Sequence, residues 1–235
     1  DRGYGQALQG MNLKLMPDTR EPQSDFDTVV IGGGIVGLCV SWFLAQEGKA
    51  VVCVDAGHQS GSIVNAGSLH VQMQSRFMRM FPDLIPDYEP IMPIYPLAVD
   101  YWQEINDGLD EYIEFQVNGG LMVAENQEQM DFLASKSKRE RKFGIETDLI
   151  DHAELHRLAP YLSDEIIGAV YCAKEGKINP LLANAAIRRK AIEASVELRA
   201  EAHVTNIIKN STGYFLETTK DNFQTGKVVV AAGSG

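Results

Sequence analysis

The sequence predicts an α/β protein: a discontinuous Rossmann-like domain built from both ends of the chain, with an α+β domain inserted between them. Three observations lead there. Residues 28–55 carry a β-branched run, a glycine turn, an apolar helix, a second apolar strand and a terminal acid, in that order. Lys227 to Ala232, KVVVAA, is a buried-type strand near the far end of the chain, stopping at Gly233. Between them a proline-rich entrance opens onto a stretch with its own helix and strand signals. The expected bounds are a flexible lead at 1–24, a first nucleotide-binding segment at 25–80, the inserted domain at 81–171 and a second nucleotide-binding segment at 172–235.

The first 24 residues hold no sustained apolar run of signal-peptide length and read as a tail or partner-binding lead. Thr28 to Ile31 is the first strand. Gly32, Gly34 and Gly37 follow at G-x-G-x-x-G spacing, before a helix starting near Ile35. Gly32 permits the tight turn, Gly34 lets a pyrophosphate lie against bare backbone, and Gly37 lets the helix pack closely on its strand. The helix start at Ile35 and Val36 offers N–H donors and partial positive charge to phosphates. Ala50 to Val54 is the second strand and ends at Asp55, where a carboxylate bonding ribose hydroxyls is expected. An acid there disfavours a 2′-phosphate and hence NADP, leaving FAD and NAD open. Thr28 to Ala45 is apolar enough to imitate a membrane span, but three consecutive glycines would break such a helix.

The next run, Gly57 to Phe77, favours FAD. A nicotinamide enzyme would enter another helix and strand of its parallel sheet here. This run is loop chemistry instead: Gly61, Ser62, Asn65, Gly67 and Ser68 are small, polar or φ-permissive and suit a chain following an extended ligand.

The inserted domain begins with Pro82, Pro86, Pro90, Pro93 and Pro96, which mark irregular chain and then a helix start. From Pro96, Leu97, Tyr101 and Ile105 give one apolar helical face ending around Gly108. Tyr112 to Val117 and Leu121 to Ala124 flank Asn118-Gly119-Gly120 as a hairpin. Gln127 to Phe143 is a charged helix and Glu146 to Ile150 a strand. Asp151 with Glu154 resembles a capping box opening a helix that Pro160 terminates. Asn179-Pro180 starts a further helix through about Ala194, and short strands from Val196 lead to VVVAAG.

Taken together, VIGGGIVG, Asp55, SIVNAGSLH and VVVAAG resemble the FAD-dependent D-amino-acid oxidase superfamily, on its glycine and sarcosine oxidase side. NAGSLHVQMQSRF, GGLMVAE and EGKINP look most like the β subunit of opine oxidases and related amine dehydrogenases. The resemblance runs from about Phe26 to the C-terminus. It implies FAD as cofactor, with Gly32, Gly34, Ile35, Val36 and Gly37 at the pyrophosphate, Asp55 and Ala56 at the adenosine ribose, and Ser62 near the phosphates. It also implies Asn65, Ala66, Gly67, Ser68 and Leu69 beside the isoalloxazine, Val204 touching the adenine through its backbone, and Ala232 and Gly233 closing over the cofactor. One departure is that many relatives carry Arg or another polar residue before the Asn, where this chain has Ile63 and Val64. The family's proteins continue past the VVVAAG strand, so the resemblance also implies an N-terminal portion whose C-terminal half, or a partner chain, completes the substrate site.

Other candidates weigh less. His152 and His156 stand at i, i+4 and share a helix face, but no third ligand at suggestive spacing accompanies them, so no metal is expected. His70 directly follows the Asn65 to Leu69 loop and is the sole catalytic candidate. Arg76 and Arg79 could grip a substrate carboxylate, with surface salt bridging the default. Phe77, Phe81, Tyr95, Tyr101 and Trp102 read as inserted-domain core. With 21 basic against 32 acidic residues the formal net charge is −11, which argues against a nucleic-acid partner. Cys39, Cys53 and Cys172 lack C-x-x-C spacing and read as small hydrophobes, implying a reducing, cytoplasmic setting. The expected activity is oxidation of the C–N bond of a small amino acid or secondary amine by hydride transfer to flavin N5. The alternatives are a non-catalytic FAD-holding subunit and, third, an NAD-dependent dehydrogenase.

Overall fold

The computed structural model describes residues 20–58 and 60–233, so most of the expected lead lies outside the described residues. The part that is described is tied down. The Gln23 N–H donates to the Asn222 carbonyl at 2.8 Å, and Asn222 Nδ2 donates to the Arg20 carbonyl at 3.0 Å.

The chain begins with β1 (Thr28–Ile31), α1 (Ile35–Gln46) and β2 (Val51–Val54). It continues through β3 (Ser68–Leu69), α2 (Ser75–Met80), α3 (Ile85–Tyr88), α4 (Ile94–Asp107), β4 (Gly120–Ala124), α5 (Gln127–Arg141), β5 (Asp148–Asp151) and α6 (His152–Leu158). Then come β6 (Gly168–Cys172), β7 (Gly176–Lys177), α7 (Pro180–Glu193), β8 (Glu197–Arg199), β9 (Val204–Asn210), β10 (Gly213–Thr218), β11 (Asn222–Thr225) and β12 (Lys227–Val230). The described residues fall into two compact units, one from residues 20–58 and 191–233, the other from residues 60–190.

The first unit holds a four-stranded parallel sheet in the order β12-β1-β2-β8. Every residue of β2 is buried, as a parallel strand covered on both faces requires. An antiparallel β11-β10-β9 sheet accompanies it, and Val29, Val52, Val54, Leu216 and Phe223 pack into one core cluster. The strand expected at 227–232 ends at Val230, because Ala231 already leaves the ladder after donating its N–H to the Ile31 carbonyl.

The second unit is wider than the insert expected at 81–171. The loop that follows residue 57 pairs within it: Ser68 lies opposite Lys177 and Leu69 opposite Gly176. Its other sheet runs β4-β6-β5, antiparallel throughout. The hairpin expected across Asn118-Gly119-Gly120 does not form. Gly120–Ala124 pairs instead with Gly168–Cys172, and residues 112–117 contribute one isolated bridge, Gln116 to Lys177. The glycines serve packing rather than a turn: a Cβ on Gly119 would overlap the Tyr171 ring, and one on Gly120 the Glu175 side chain.

The face of α4 is also rotated from expectation. Leu97 and Tyr101 are exposed, while Val99, Trp102 and Ile105 turn inward. Val99 enters one core cluster and Trp102 another, so the helix is oriented by two neighbours at once. Phe77 and Tyr95 join the first cluster as expected, whereas Phe81 is exposed with Tyr101. Two helix starts were legible: the Asp151 carboxylate and the Asn179 side-chain carbonyl accept N–H groups from the first turns of α6 and α7, and Asn126, which sequence reading did not single out, caps α5 in the same way. Only half of the box at Asp151 forms, since Glu154 turns to Arg157.

Candidate cofactor site

The glycine turn sits at the carboxyl ends of β1, β2 and β12, the crevice where open parallel sheets bind ligands. Gly32 has φ +110°, and a Cβ there would overlap the Ala231 carbonyl at the end of β12. The turn is fastened to the sheet by the Gly32 N–H, which donates to the Val54 carbonyl at 2.8 Å. On Gly37 a Cβ would overlap the Gly32 carbonyl oxygen, so the helix meets the turn by bare backbone contact. Gly34 caps α1 in an extended conformation; the helix has no side-chain cap and no acidic residue in its first turn. Its positive end is therefore not neutralised by its own side chains, which suits an anionic group.

Asp55 organises the turn as well as standing beside it. Oδ2 accepts the Gly33 N–H at 2.6 Å and Oδ1 the Gly57 N–H at 2.8 Å. The Asp55 carbonyl accepts the Ala202 N–H at 2.9 Å, leading the chain from β8 into Val204 at the start of β9. A carboxylate has about four acceptor sites, so two remain for ribose hydroxyls. Sequence reasoning gave Gly33 no role. Its place against the carboxylate explains the middle glycine of the three: a Cβ would lie 2.8 Å from Oδ2. Ala56 and Val204 are half-buried, Val36 is exposed, and Ala232 and Gly233 stand exposed beyond β12. These residues fit a dinucleotide: a cradle that Cβ atoms would fill, a helix start with no acidic residue in its first turn and a carboxylate with acceptor capacity.

The second unit carries the other expected segment. Asn65 binds its own loop, with Nδ2 donating to the Gly61 and Ser62 carbonyls at 2.9 and 3.0 Å and Oδ1 accepting the Gly67 N–H at 2.8 Å. Its side chain thus shapes the loop. Gly67 is buried, with no space for a Cβ against the Ile178 carbonyl, while Ser62 and Leu69 are half-buried and Ala66 and Ser68 exposed. His70 is 56% exposed, with Nδ1 3.9 Å from Glu175 Oε1. Arg76 and Arg79 line a cleft of about 410 Å³ with Phe132, and Arg79 stacks on that ring at 4.5 Å, with no salt bridge of its own among the described residues.

Directly after the loop lies a buried polar network that sequence reading missed. Glu175 Oε1 accepts the Val71 and Gln72 N–H groups, both at 2.8 Å, and Glu140 Oε1 accepts the Met73 N–H at 2.7 Å. Lys136 donates to Glu140 at 2.8 Å and to Gln72 Oε1 at 3.1 Å, with its side chain fully buried. Burial pushes the Lys136 ammonium below its ordinary range and the Glu140 carboxyl above its own, each opposed by the partner's charge. On a helix as charged as α5, nothing local distinguishes these residues from a solvated i, i+4 pair.

A model of the FAD dependent oxidoreductase family matches residues 27–235. Glycine oxidase of Geobacillus kaustophilus is 25% identical over 210 residues, which make up 89% of this chain and 55% of that protein. Sarcosine oxidase subunit beta of an Arthrobacter species is 23% identical, covering 90% of this chain and 52% of that one. Among solved structures, glycine oxidase from Bacillus cereus shares 25% identity at a TM-score of 0.67, over 89% of this chain and 55% of that one. The FAD-bound L-alpha-glycerophosphate oxidase of Mycoplasma pneumoniae shares the fold, with 21% identity and a TM-score of 0.72 over 89% of this chain and 54% of that one. The chain spans about half the length of these relatives. Among the described residues no helix is long and apolar enough to cross a membrane.

Proposed function

The chain belongs to the FAD-dependent oxidoreductase family, and from that premise we propose that the protein oxidises a C–N bond of a small amino acid or secondary amine. The observation that carries this reading is the Gly32 to Gly37 turn fastened to Asp55 in a parallel sheet, in a chain whose relatives include glycine and sarcosine oxidases. FAD, when bound, supplies the two-electron acceptor for a hydride leaving the carbon next to nitrogen.

The chain's own residues bind and orient. Gly32, Gly34 and Gly37, with the N–H groups of Ile35 and Val36, hold the pyrophosphate; Asp55 and Ala56 fix the ribose, Val204 the adenine, and Ala232 and Gly233 close the site. From the family resemblance we assign Ser62 to the phosphates and the stretch from Asn65 to Leu69, a wall of loop, to the isoalloxazine. Asn65 keeps that wall in shape, and Glu175 anchors the residues that follow it. We assign His70, directly after that stretch, as the catalytic candidate. We assign the remaining substrate contacts to protein outside these 235 residues, in the same polypeptide or a partner chain. The three free thiols suit a reducing, cytoplasmic setting.

The full-length protein, purified with FAD, tests the reading. Anaerobic addition of glycine, sarcosine, proline or an opine is expected to bleach the flavin absorbance, and glycerol 3-phosphate to leave it unchanged. Reduction by glycerol 3-phosphate alone would replace the amine assignment with C–O oxidation, and a flavoprotein that none of these reduces would favour a cofactor-holding role.

A further inference from the structure

His152 opens α6 and His156 follows one turn later, so the two imidazoles share a face; their ring centroids lie 4.3 Å apart at an interplanar angle of 27°. Past Pro160 the chain cannot continue the helix and turns back toward β6. This return brings Asp164 to the imidazole pair. Its carbonyl oxygen is 3.3 Å from His152 Nε2, and its Oδ1 is 3.7 Å from His156 Nε2. One ligand atom from each of the three residues lies within 4.8 Å of the other two. Sequence spacing gave no hint of Asp164, because seven residues of helix end and turn separate it from His156.

We propose that His152, His156 and Asp164 form a binding site for a divalent transition cation, zinc above all. Two observations besides proximity support it. His156 Nε2 is enclosed yet has no hydrogen-bond partner among the described residues, and it faces the Asp164 carboxylate at a separation too long for a hydrogen bond. A cation held at about 2.0–2.2 Å by each ligand sets ligand atoms roughly 3.3–3.6 Å apart, so this gap is near the coordinated value. The surroundings also favour positive charge. Asp151, Glu154, Asp164 and Glu165 gather within this short stretch, and the nearby Arg157 is taken by Glu154 through two hydrogen bonds at 3.0 and 2.6 Å.

The donor set selects the metal class. Two imidazole nitrogens and one carboxylate oxygen suit zinc, cobalt or nickel, whereas calcium and magnesium favour all-oxygen shells. Three protein ligands leave a fourth position for water. Asp164 is 96% exposed, so its side chain is free to close the remaining distance. The cation would clamp α6 to the loop that leads into β6, stiffening one end of the second unit.

The test is zinc binding by the intact protein, stripped with chelator and then titrated by calorimetry, with cobalt as a spectroscopic probe. The expected result is one zinc per chain, visible absorption of a four-coordinate cobalt site, and a higher melting temperature with zinc. His156→Ala and Asp164→Asn should each weaken binding at least tenfold, and His152→Ala with His156→Ala should abolish it. Far-UV circular dichroism in chelator checks that each variant is folded; Asp164→Asn alters an exposed group and carries the test if a histidine variant fails to fold. His58→Ala is the control, because His58 and His203 form another imidazole pair, with centroids 6.0 Å apart. Absence of saturable binding, binding indifferent to both His156→Ala and Asp164→Asn, or binding lost only in His58→Ala would overturn the proposal.

Discussion

The carboxylate of Asp55 accepts the backbone N–H of Gly33 at 2.6 Å, so the acid at the end of β2 sets the shape of the turn that follows β1. A residue expected only to contact a ribose therefore also builds the cradle. Asp55→Ala strands the Gly33 and Gly57 N–H groups, and losing charge-assisted bonds of this kind costs about 1.5–3 kcal/mol each. The expected outcome is FAD affinity lowered by a factor of ten or more, measured by flavin fluorescence titration. Unchanged affinity would remove Asp55 from the site.

Gly37→Ala places a methyl group into the Gly32 carbonyl, where only backbone movement can relieve it. Overpacking of this kind costs about 1–3 kcal/mol, so the variant should unfold at lower urea concentration and purify with less flavin. Gly61→Ala is the matched control. A Cβ there meets nothing within 4 Å, and stability should change by no more than about 0.5 kcal/mol.

Lys136→Met removes the one cation from a buried cluster containing Glu140 and Glu175. Breaking a buried pair this way costs about 3–5 kcal/mol because a carboxylate is left uncompensated. Urea denaturation should show that loss. Adding Glu140→Gln to the same chain should recover part of it, since the amide oxygen still accepts the Met73 N–H.

Burial pushes the Cys39 thiol up to about 11. The folded chain thus keeps a proton that the unfolded chain releases from about pH 8.5. The sign follows: this thiol's contribution to stability is complete below about pH 8.5 and is lost as pH rises through 11. Iodoacetamide labelling followed by mass spectrometry at pH 8.5 should modify Cys39 roughly a hundredfold more slowly in the folded protein than in urea. Equal rates would show that the thiolate forms freely.

The nucleotide-binding half was legible because its rules are local. A glycine turn between two β-branched strands, with an acid after the second, specifies its geometry within 28 residues, Thr28 to Asp55. The failures share a different cause. Asn118-Gly119-Gly120 carries a hairpin signature, yet Gly120–Ala124 found its partner about fifty residues later, and the glycines answer to Tyr171 and Glu175. Likewise, Leu97 and Tyr101 have helical spacing, but packing at Val99 and Trp102 chose another face of α4. Lys136 and Glu140 look solvated until Gln72 and the 71–73 backbone close over them. In each case the deciding neighbour is remote in sequence.

The pairing of β1 with β12 has a consequence for how the protein is made. Thr28 must wait for Lys227, far along the chain, before the first strand gains its outer neighbour. The 60–190 unit is contiguous and can collapse while later residues are still being synthesised, whereas the glycine turn acquires the Ala231 contact only once β12 has been made. Flavin capture then waits for β12, and a chain interrupted before Val230 would carry the whole fingerprint and still lack the strand against which its turn is shaped.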